Sequence, residues 1–329
     1  MKHITLLVPQ GAILGSVEGP RQVLTEANKL LLGMGKPALF KIQLVGLTRE
    51  VKAAGGIYTV YTDATIHDVP HIDLVLIPAL DGDLAKAVQA NAEFMPWIVQ
   101  QYQAGAEVAS LCVGAFLLAS TGLVNGRKCA THWMAANAFR KMFPEVELVE
   151  DSIITDEHRI YSSGGAFSYL NLVLYLLEKF AGREIAVVMS KAFQIDIDRR
   201  SQSPFVIFQG QKDHEDDLIK QAQEFIEANY QEKISVDDLA SNFYLGRRNL
   251  ERRFKKATCN TVLEYIQRVK MEAAKMRFES SQDNVNEVMF TVGYSDPKAF
   301  RATFKKITGL SPLEYRNKYN KVAGALQVN

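Results

Sequence analysis

Cysteine is scarce in this 329-residue sequence: Cys112, Cys129 and Cys259 are the only three, and no two form a C-x-x-C pair. An odd, widely spaced set argues against a disulfide framework or a structural zinc site and fits a reducing compartment. An excess of one charge is also lacking. There are 38 Lys and Arg against 37 Asp and Glu, a net charge of +1. No stretch approaches the ~20 uninterrupted apolar residues of a membrane span. The N-terminal Met1-Lys2-His3-Ile4-Thr5-Leu6-Leu7-Val8-Pro9 has too short an apolar run for a signal peptide, and no small-residue cleavage site follows. It reads instead as a buried first strand, and the expected location is the cytoplasm, away from any membrane. Neither a metal nor a cofactor is expected.

What is present is material for packed cores: 47% of residues are hydrophobic and 23% charged. The length predicts about two domains. Residues 1–195 alternate short β-rich runs with helical patterns. Ile4–Val8, Lys41–Leu47, Leu74–Pro78 and Val108–Cys112 read as strands buried on both faces. Pro20–Leu32, Asp83–Ala104, Gly114–Thr121 and Phe167–Phe180 read as helices. This alternation predicts an α/β sandwich with a parallel sheet. Residues 196–214 mix charge, Ser, Pro and Gly and read as a linker. Residues 215–329 are all helical in pattern and carry 19 Lys and Arg against 16 Asp and Glu.

The helical region uses a single plan twice. In Ile234–Lys256, Ser235 is an N-cap, with Asp238 three residues on. Asn242–Gly246 forms a turn, and a second helix starts near Arg247. Leu250 and Phe254 bury together, while Arg247, Arg248, Arg252, Arg253, Lys255 and Lys256 occupy the other face. An apolar stripe backing a row of guanidinium forks suits a helix that enters a DNA groove. Val285–Ile307 repeats the plan, with Gly293 in the turn, Phe300, Phe304 and Ile307 as the stripe, and Lys298, Arg301, Lys305 and Lys306 outside. A long helix at about 262–280 joins the copies.

RRNLERRFKKAT, EYIQRVKMEAAKMRF, VGYSDPKAFRATFKKITGLSP and Glu314-Tyr315-Arg316 resemble the DNA-binding domain of the AraC/XylS family. The resemblance implies two helix-turn-helix units on one linker helix, reading successive major-groove segments of double-stranded DNA about 34 Å apart. The expected DNA contacts are Arg247, Arg248, Asn249 and Arg252 in the first unit, and Ser295, Lys298 and Arg301 in the second. The chain departs from the family at Gly246, at Cys259-Asn260 and at Pro297-Lys298.

In the first half, Val108–Asn125 runs a strand into Cys112 and turns at Gly114 into a helix. A thiol at such an elbow faces a helix N-terminus, which favours thiolate; a packed core cysteine is the other reading. LCVGAFLLASTGLVNGR, Thr131-His132-Trp133, the turn Tyr161-Ser162-Ser163-Gly164-Gly165 and Glu18-Gly19-Pro20 opening the first helix resemble the PfpI-like domain of the class I glutamine amidotransferase-like superfamily. The resemblance implies a flavodoxin-like sandwich with an effector pocket at the elbow, assigned to Ser16, Glu18, Cys112, Val113, His132, Gly164 and Gly165. Val113 stands where protease-like members carry His, and Ser16 stands where a carboxylate is usual. His132 either acts as a base or orders the junction. Gly164 and Gly165 either offer N–H groups to a carboxylate or allow close packing. Asn171 stands where an acidic residue is usual.

Together these features describe a sequence-specific DNA-binding transcription regulator, not an enzyme, controlled by a small effector such as an amine or amino-acid derivative. A homodimer is implied by the resemblance, with RNA polymerase as a further partner. A redox sensor acting through Cys112 and a PfpI-like cysteine enzyme are the alternatives.

Overall fold

The computed structural model describes residues 1–69, 71–199 and 201–320. The chain forms two compact units, Met1–Gln202 and a second beginning at Ser203. The strands of the first unit are β1 (Lys2–Leu7), β2 (Phe40–Gly46), β3 (Glu50–Ala53), β4 (Tyr58–Tyr61), β5 (Ala64–Thr65), β6 (Leu74–Ile77), β7 (Glu107–Ser110), β8 (Lys128–Cys129), β9 (Glu147–Leu148), β10 (Ile154–Glu157) and β11 (Ile160–Ser163). Its helices are α1 (Leu14–Gly33), α2 (Leu84–Ala90), α3 (Phe94–Gln103), α4 (Ala115–Ser120), α5 (Ala136–Met142), α6 (Tyr169–Ala181) and α7 (Arg183–Ala192).

Seven strands make one sheet in the order β10-β11-β7-β6-β1-β2-β5. Every pairing in it is parallel except β10 with β11. Successive side chains of a strand point to opposite faces, and β6 shows the result. Val75 and Ile77 join one core with Phe94, Ile98 and Phe116; Leu74 and Leu76 join the other with Val23, Leu24 and Leu172. The sheet is thus covered by helices on both sides, the α/β sandwich that the alternation predicts.

Three helix boundaries differ from the pattern. Helix α1 begins at Leu14, so Pro20 lies inside it and the Glu18-Gly19-Pro20 motif does not open it. The pattern over 83–104 breaks into α2 and α3. The cause is Asn91, fully buried, whose amide takes the N–H of Gln10 at 2.8 Å and donates to its carbonyl at 2.9 Å. Helix α6 ends at Ala181, close to the expected end, and α7, which the pattern does not show, follows after Gly182.

The second unit contains α8 (Asp217–Ala228), α9 (Val236–Asn242), α10 (Arg247–Thr258), α11 (Val262–Ser280), α12 (Val285–Thr291), α13 (Pro297–Thr308) and α14 (Pro312–Tyr319). It has two small cores. One gathers Ile219, Ile226, Leu239, Leu250 and Phe254, the other Val288, Met289, Phe300, Phe304 and Tyr315. Helix α11 serves both: Val262, Tyr265 and Ile266 enter the first, and Met271, Ala274 and Phe278 the second. Among the described residues, no helix is long and apolar enough to cross a membrane.

Candidate functional site

Each copy of the helical plan is a short capped helix, a tight turn and a longer basic helix. Ser235 caps α9 by accepting the N–H of Asp238, and Asn284 caps α12 in a full capping box with Glu287. Gly246 caps α10 through its backbone alone, whereas the Asp296 side chain caps α13 by accepting the N–H of Lys298 at 2.8 Å. Helix α10 buries Leu250, Phe254 and Thr258; α13 buries Phe300, Phe304 and Thr308. The opposite faces are open.

Arg247, Arg248, Asn249, Arg252, Ser295, Lys298 and Arg301 are all exposed. Their engagements differ. Arg247 pairs with Asp237 at 2.9 Å and with Glu251 at 3.2 Å. Arg252 donates to Asn249 Oδ1 at 3.0 Å, which orders the two side chains together. Ser295 sits just before the cap of α13, while Lys298 and Arg301 lie on that helix's outer face. The structure separates Arg253 from the basic row in which the sequence places it. Its Nε and Nη2 donate to both carboxylate oxygens of Asp216, the N-cap of α8, at 2.9 and 2.5 Å. That guanidinium is committed to the fold.

The first unit gathers its own group of residues beyond the carboxyl ends of the parallel strands, the edge where open α/β sheets form ligand crevices. Cys112 follows β7 with φ of +55°, a left-handed backbone in an L residue. Its N–H donates to Ser163 Oγ at 3.3 Å, and its carbonyl accepts from Thr131 Oγ1 at 3.2 Å. These two bonds tie the elbow to the ends of β11 and β8. Burial pushes the Cys112 thiol up to about 11, with the Val113 N–H opposing. Burial thus favours the thiol over the thiolate, in line with the packed-core reading: the side chain is almost wholly inside.

Ser16 and Glu18 do not supply the missing carboxylate. Ser16 is buried in the first turn of α1, where Oγ donates to the Ile13 carbonyl at 2.7 Å and accepts the Ala79 N–H at 2.9 Å. Glu18 is exposed, and both its carboxylate oxygens take Arg21. Val113 is half-buried beside the elbow. His132 caps a helical turn, its Nδ1 accepting the Met134 N–H at 3.1 Å, and burial pulls its pKa down. That bond fits the reading in which the imidazole orders this junction.

Gly164 gives its N–H to the Ile153 carbonyl at 2.9 Å, so that donor is not free for a ligand. A Cβ there would stand 2.4 Å from Gln202 Nε2 and 2.9 Å from the Ser152 carbonyl, so close packing demands the glycine. Gly165 adopts φ of +74° beside Ser168. Sequence reasoning missed three residues here. Thr131 and Ser163 hold the elbow, and Gln202 donates from Nε2 to the Thr131 carbonyl at 3.1 Å and the Glu150 carbonyl at 2.6 Å. The Thr131-His132-Trp133 motif pointed to the first; nothing local marks Gln202. Asn171 is turned to the chain's exit from the unit, donating to the Asp196 carbonyl at 2.5 Å. Ile13, Met134 and Phe167 leave apolar surface exposed in the loops that follow β1, β8 and β11.

Comparison with known proteins follows this division. Residues 3–179 match the DJ-1/PfpI family, and residues 239–318 match a helix-turn-helix domain family. The HTH-type transcriptional regulator GbdR of Pseudomonas aeruginosa is 25% identical over 272 residues, which cover 82% of this chain and 72% of that protein. ArgR of the same species, also an HTH-type transcriptional regulator, is 26% identical over 219 residues, 66% of each chain. Among solved structures, Drosophila melanogaster DJ-1beta superposes with a TM-score of 0.50 at 18% identity, covering 59% of this chain and 98% of that one. An AraC family transcriptional regulator from Pseudomonas putida gives 0.50 at 15% identity, covering 59% and 100%. The chain belongs to the DJ-1/PfpI family, and its second unit carries a helix-turn-helix domain of the AraC type.

Proposed function

We propose that this protein is a sequence-specific DNA-binding transcription regulator that answers to a small effector held by its DJ-1/PfpI unit. One observation carries the first half of the reading: two exposed basic helices, α10 and α13, each backed by its own core, sit on the single linker helix α11. That is the architecture for reading two neighbouring major-groove segments. The names of GbdR and ArgR as HTH-type transcriptional regulators support it. Arg248, Asn249, Arg252, Lys298 and Arg301 are the proposed base and phosphate contacts, with Arg247 and Ser295 at the helix starts.

The effector reading rests on the place of the elbow residues at the carboxyl ends of β1, β6, β7 and β11, the edge where open α/β sheets bind ligands. Burial raises the Cys112 thiol and the His132 Nδ1 is taken up by the Met134 N–H, which suits binding better than a nucleophile with its base. Residues 1–195 then act as the sensor and residues 215–329 as the DNA reader. Residues 196–214 carry the change between them, and copies pair through the α/β unit.

The test has two arms. Affinity for DNA must fall steeply with salt, because neutralising each phosphate releases counterions; a chain that ignores DNA at low salt contradicts the first arm. A thermal-shift screen of small amines, amino acids and betaines tests the second, since a ligand stabilises whatever state binds it. If every such stabilisation persists unchanged after bulky substitution at Val113, the elbow is not the site.

A further inference from the structure

Two reading helices discriminate DNA jointly only if their phase along the duplex is fixed. Helix α11 connects them by entering both cores. The structure adds a direct contact between the two units beside that helix. Lys270 lies where α11 passes from the first core, which it leaves at Val269, to the second, which it enters at Met271. Its side chain is buried, and Nζ donates to three backbone carbonyls: Tyr230 at 2.5 Å, Glu232 at 3.0 Å and Val292 at 2.9 Å. Tyr230 and Glu232 lie in the segment that leads from α8 into α9 of the first unit. Val292 ends α12 in the turn of the second.

An ammonium has three N–H donors, and all three are used here. Burial draws the lysine pKa down, with Glu232 opposing. Desolvating a cation is costly unless each donor finds an acceptor, so the contact resists opening at any one of the three carbonyls. The backbone beside it is equally committed. Gly293 adopts φ of +73°, and a Cβ there would stand 2.1 Å from the Gln231 carbonyl oxygen and 2.8 Å from Lys270 Nζ. The turn of the second unit thus rests directly on the entry loop of the first. Tyr230 also packs against the second core, and the Tyr294 ring lies 5.9 Å from Nζ.

We infer that Lys270 is a positioning residue that sets the spacing of DNA segments the protein accepts, by locking the two helix-turn-helix units together at the Gly293 turn. The inference rests on the two-helix reading of DNA given above. The probe is a duplex selected by the full chain from a random-sequence pool, together with versions carrying one to four base pairs inserted between its two contacted segments. Two inserted pairs rotate one segment by about 70°. The wild-type chain is expected to lose on the order of 100-fold in affinity, the base contacts of one unit.

Lys270→Met, which keeps the aliphatic stem and removes the three donors, is expected to lose less than ~10-fold on the same insertion. Gly293→Ala retains the lysine but drives a methyl group into the Gln231 carbonyl, and it is expected to relax spacing in the same way. Each variant is first checked for wild-type helix content, so that a misfolded Lys270→Met leaves Gly293→Ala to decide. Wild-type spacing selectivity in a folded variant overturns the inference. A wild-type chain that binds all spacings equally, or binds no duplex, removes instead the two-helix reading beneath it.

Discussion

Arg253 and Arg248 stand on one helix with the same side chain, and the structure gives them different surroundings. Arg253 donates two hydrogen bonds to Asp216, and the side chains are 30% and 23% exposed. A hydrogen bond to a charged group contributes about 1.5–3 kcal/mol when shielded, and solvent screening reduces that here. Arg253→Ala should therefore cost about 1 kcal/mol, which lowers the melting temperature by roughly 3–6 °C for a unit of this size. Its DNA affinity, measured by fluorescence anisotropy over a salt series from about 50 to 300 mM, should keep the wild-type slope of log K against log salt.

Arg248→Ala should do the reverse. It is exposed and makes no ion pair among the described residues, so melting stays put, while the slope falls by about 0.9 if the lost contact was a phosphate. The acid side gives a further check. The Arg253 hydrogen bond holds the Asp216 carboxyl below its ordinary value. That contribution is present above the unfolded carboxyl range near pH 4 and is lost as pH falls through the lower folded value. Wild type and Arg253→Ala should thus converge in stability in strong acid. A slope reduced by about one in Arg253→Ala, with melting unchanged, would refute the assignment.

Cys259 ends α10 in the left-handed region with φ of +58°, where the second copy has Gly309. Cys259→Gly relieves about 1–2 kcal/mol of backbone strain and adds back roughly 0.5–1 kcal/mol of unfolded-chain entropy; a small rise in melting temperature is the expected result, and a fall contradicts it. The buried Cys112 thiol, at about 11, should resist iodoacetamide at neutral pH and react as pH climbs, whereas exposed Cys259 reacts first. Its raised folded value favours the fold fully below about pH 9, and that contribution is lost between 9 and 11; modification of both thiols at equal rates near neutrality would sink this. Asn91→Ala removes the clamp on Gln10 and leaves two backbone groups unpaired, and it should cost about 1–3 kcal/mol in urea unfolding. No change in midpoint would mean that the α2–α3 break has another cause.

Much of this was legible in the sequence because its signals are local. Ser235 caps the helix that follows it, and the buried pairs Leu250–Phe254 and Phe300–Phe304 orient α10 and α13. The central strands β1, β2, β6 and β7 show as short apolar runs for the same reason. What was not legible depends on distant partners. Arg253 differs from its neighbours only through Asp216, 37 residues away. The interruption by Asn91 needs Gln10, and the state of Cys112 needs the walls around it. The strands β3, β4, β8, β9 and β10 have two to four residues each and mostly half-exposed patterns, too short to show a period. The start of α1 was hidden by Pro20, since proline favours a first turn and gives no sign when it lies deeper.

The two helix-turn-helix copies agree where they meet protein and diverge where they face outward. Thr258 and Thr308 bond the carbonyls of Phe254 and Phe304 at 2.8 Å, and the tyrosine that follows each, Tyr265 or Tyr315, donates to a glutamate, Glu227 or Glu279. These matched bonds seat both reading helices on their cores in the same way. Outside, Asn249 and Arg252 of α10 correspond to the exposed Ala299 and Ala302 of α13, and Glu251 corresponds to Arg301. Amide and guanidinium groups suit adenine and guanine edges, whereas an alanine offers only a methyl contact, as to thymine. Two helices held alike but bearing different chemistry cannot prefer the same bases. On the proposed reading, the operator is expected to be two unlike segments about one turn apart, and a tandem repeat of either segment should bind more weakly than the pair.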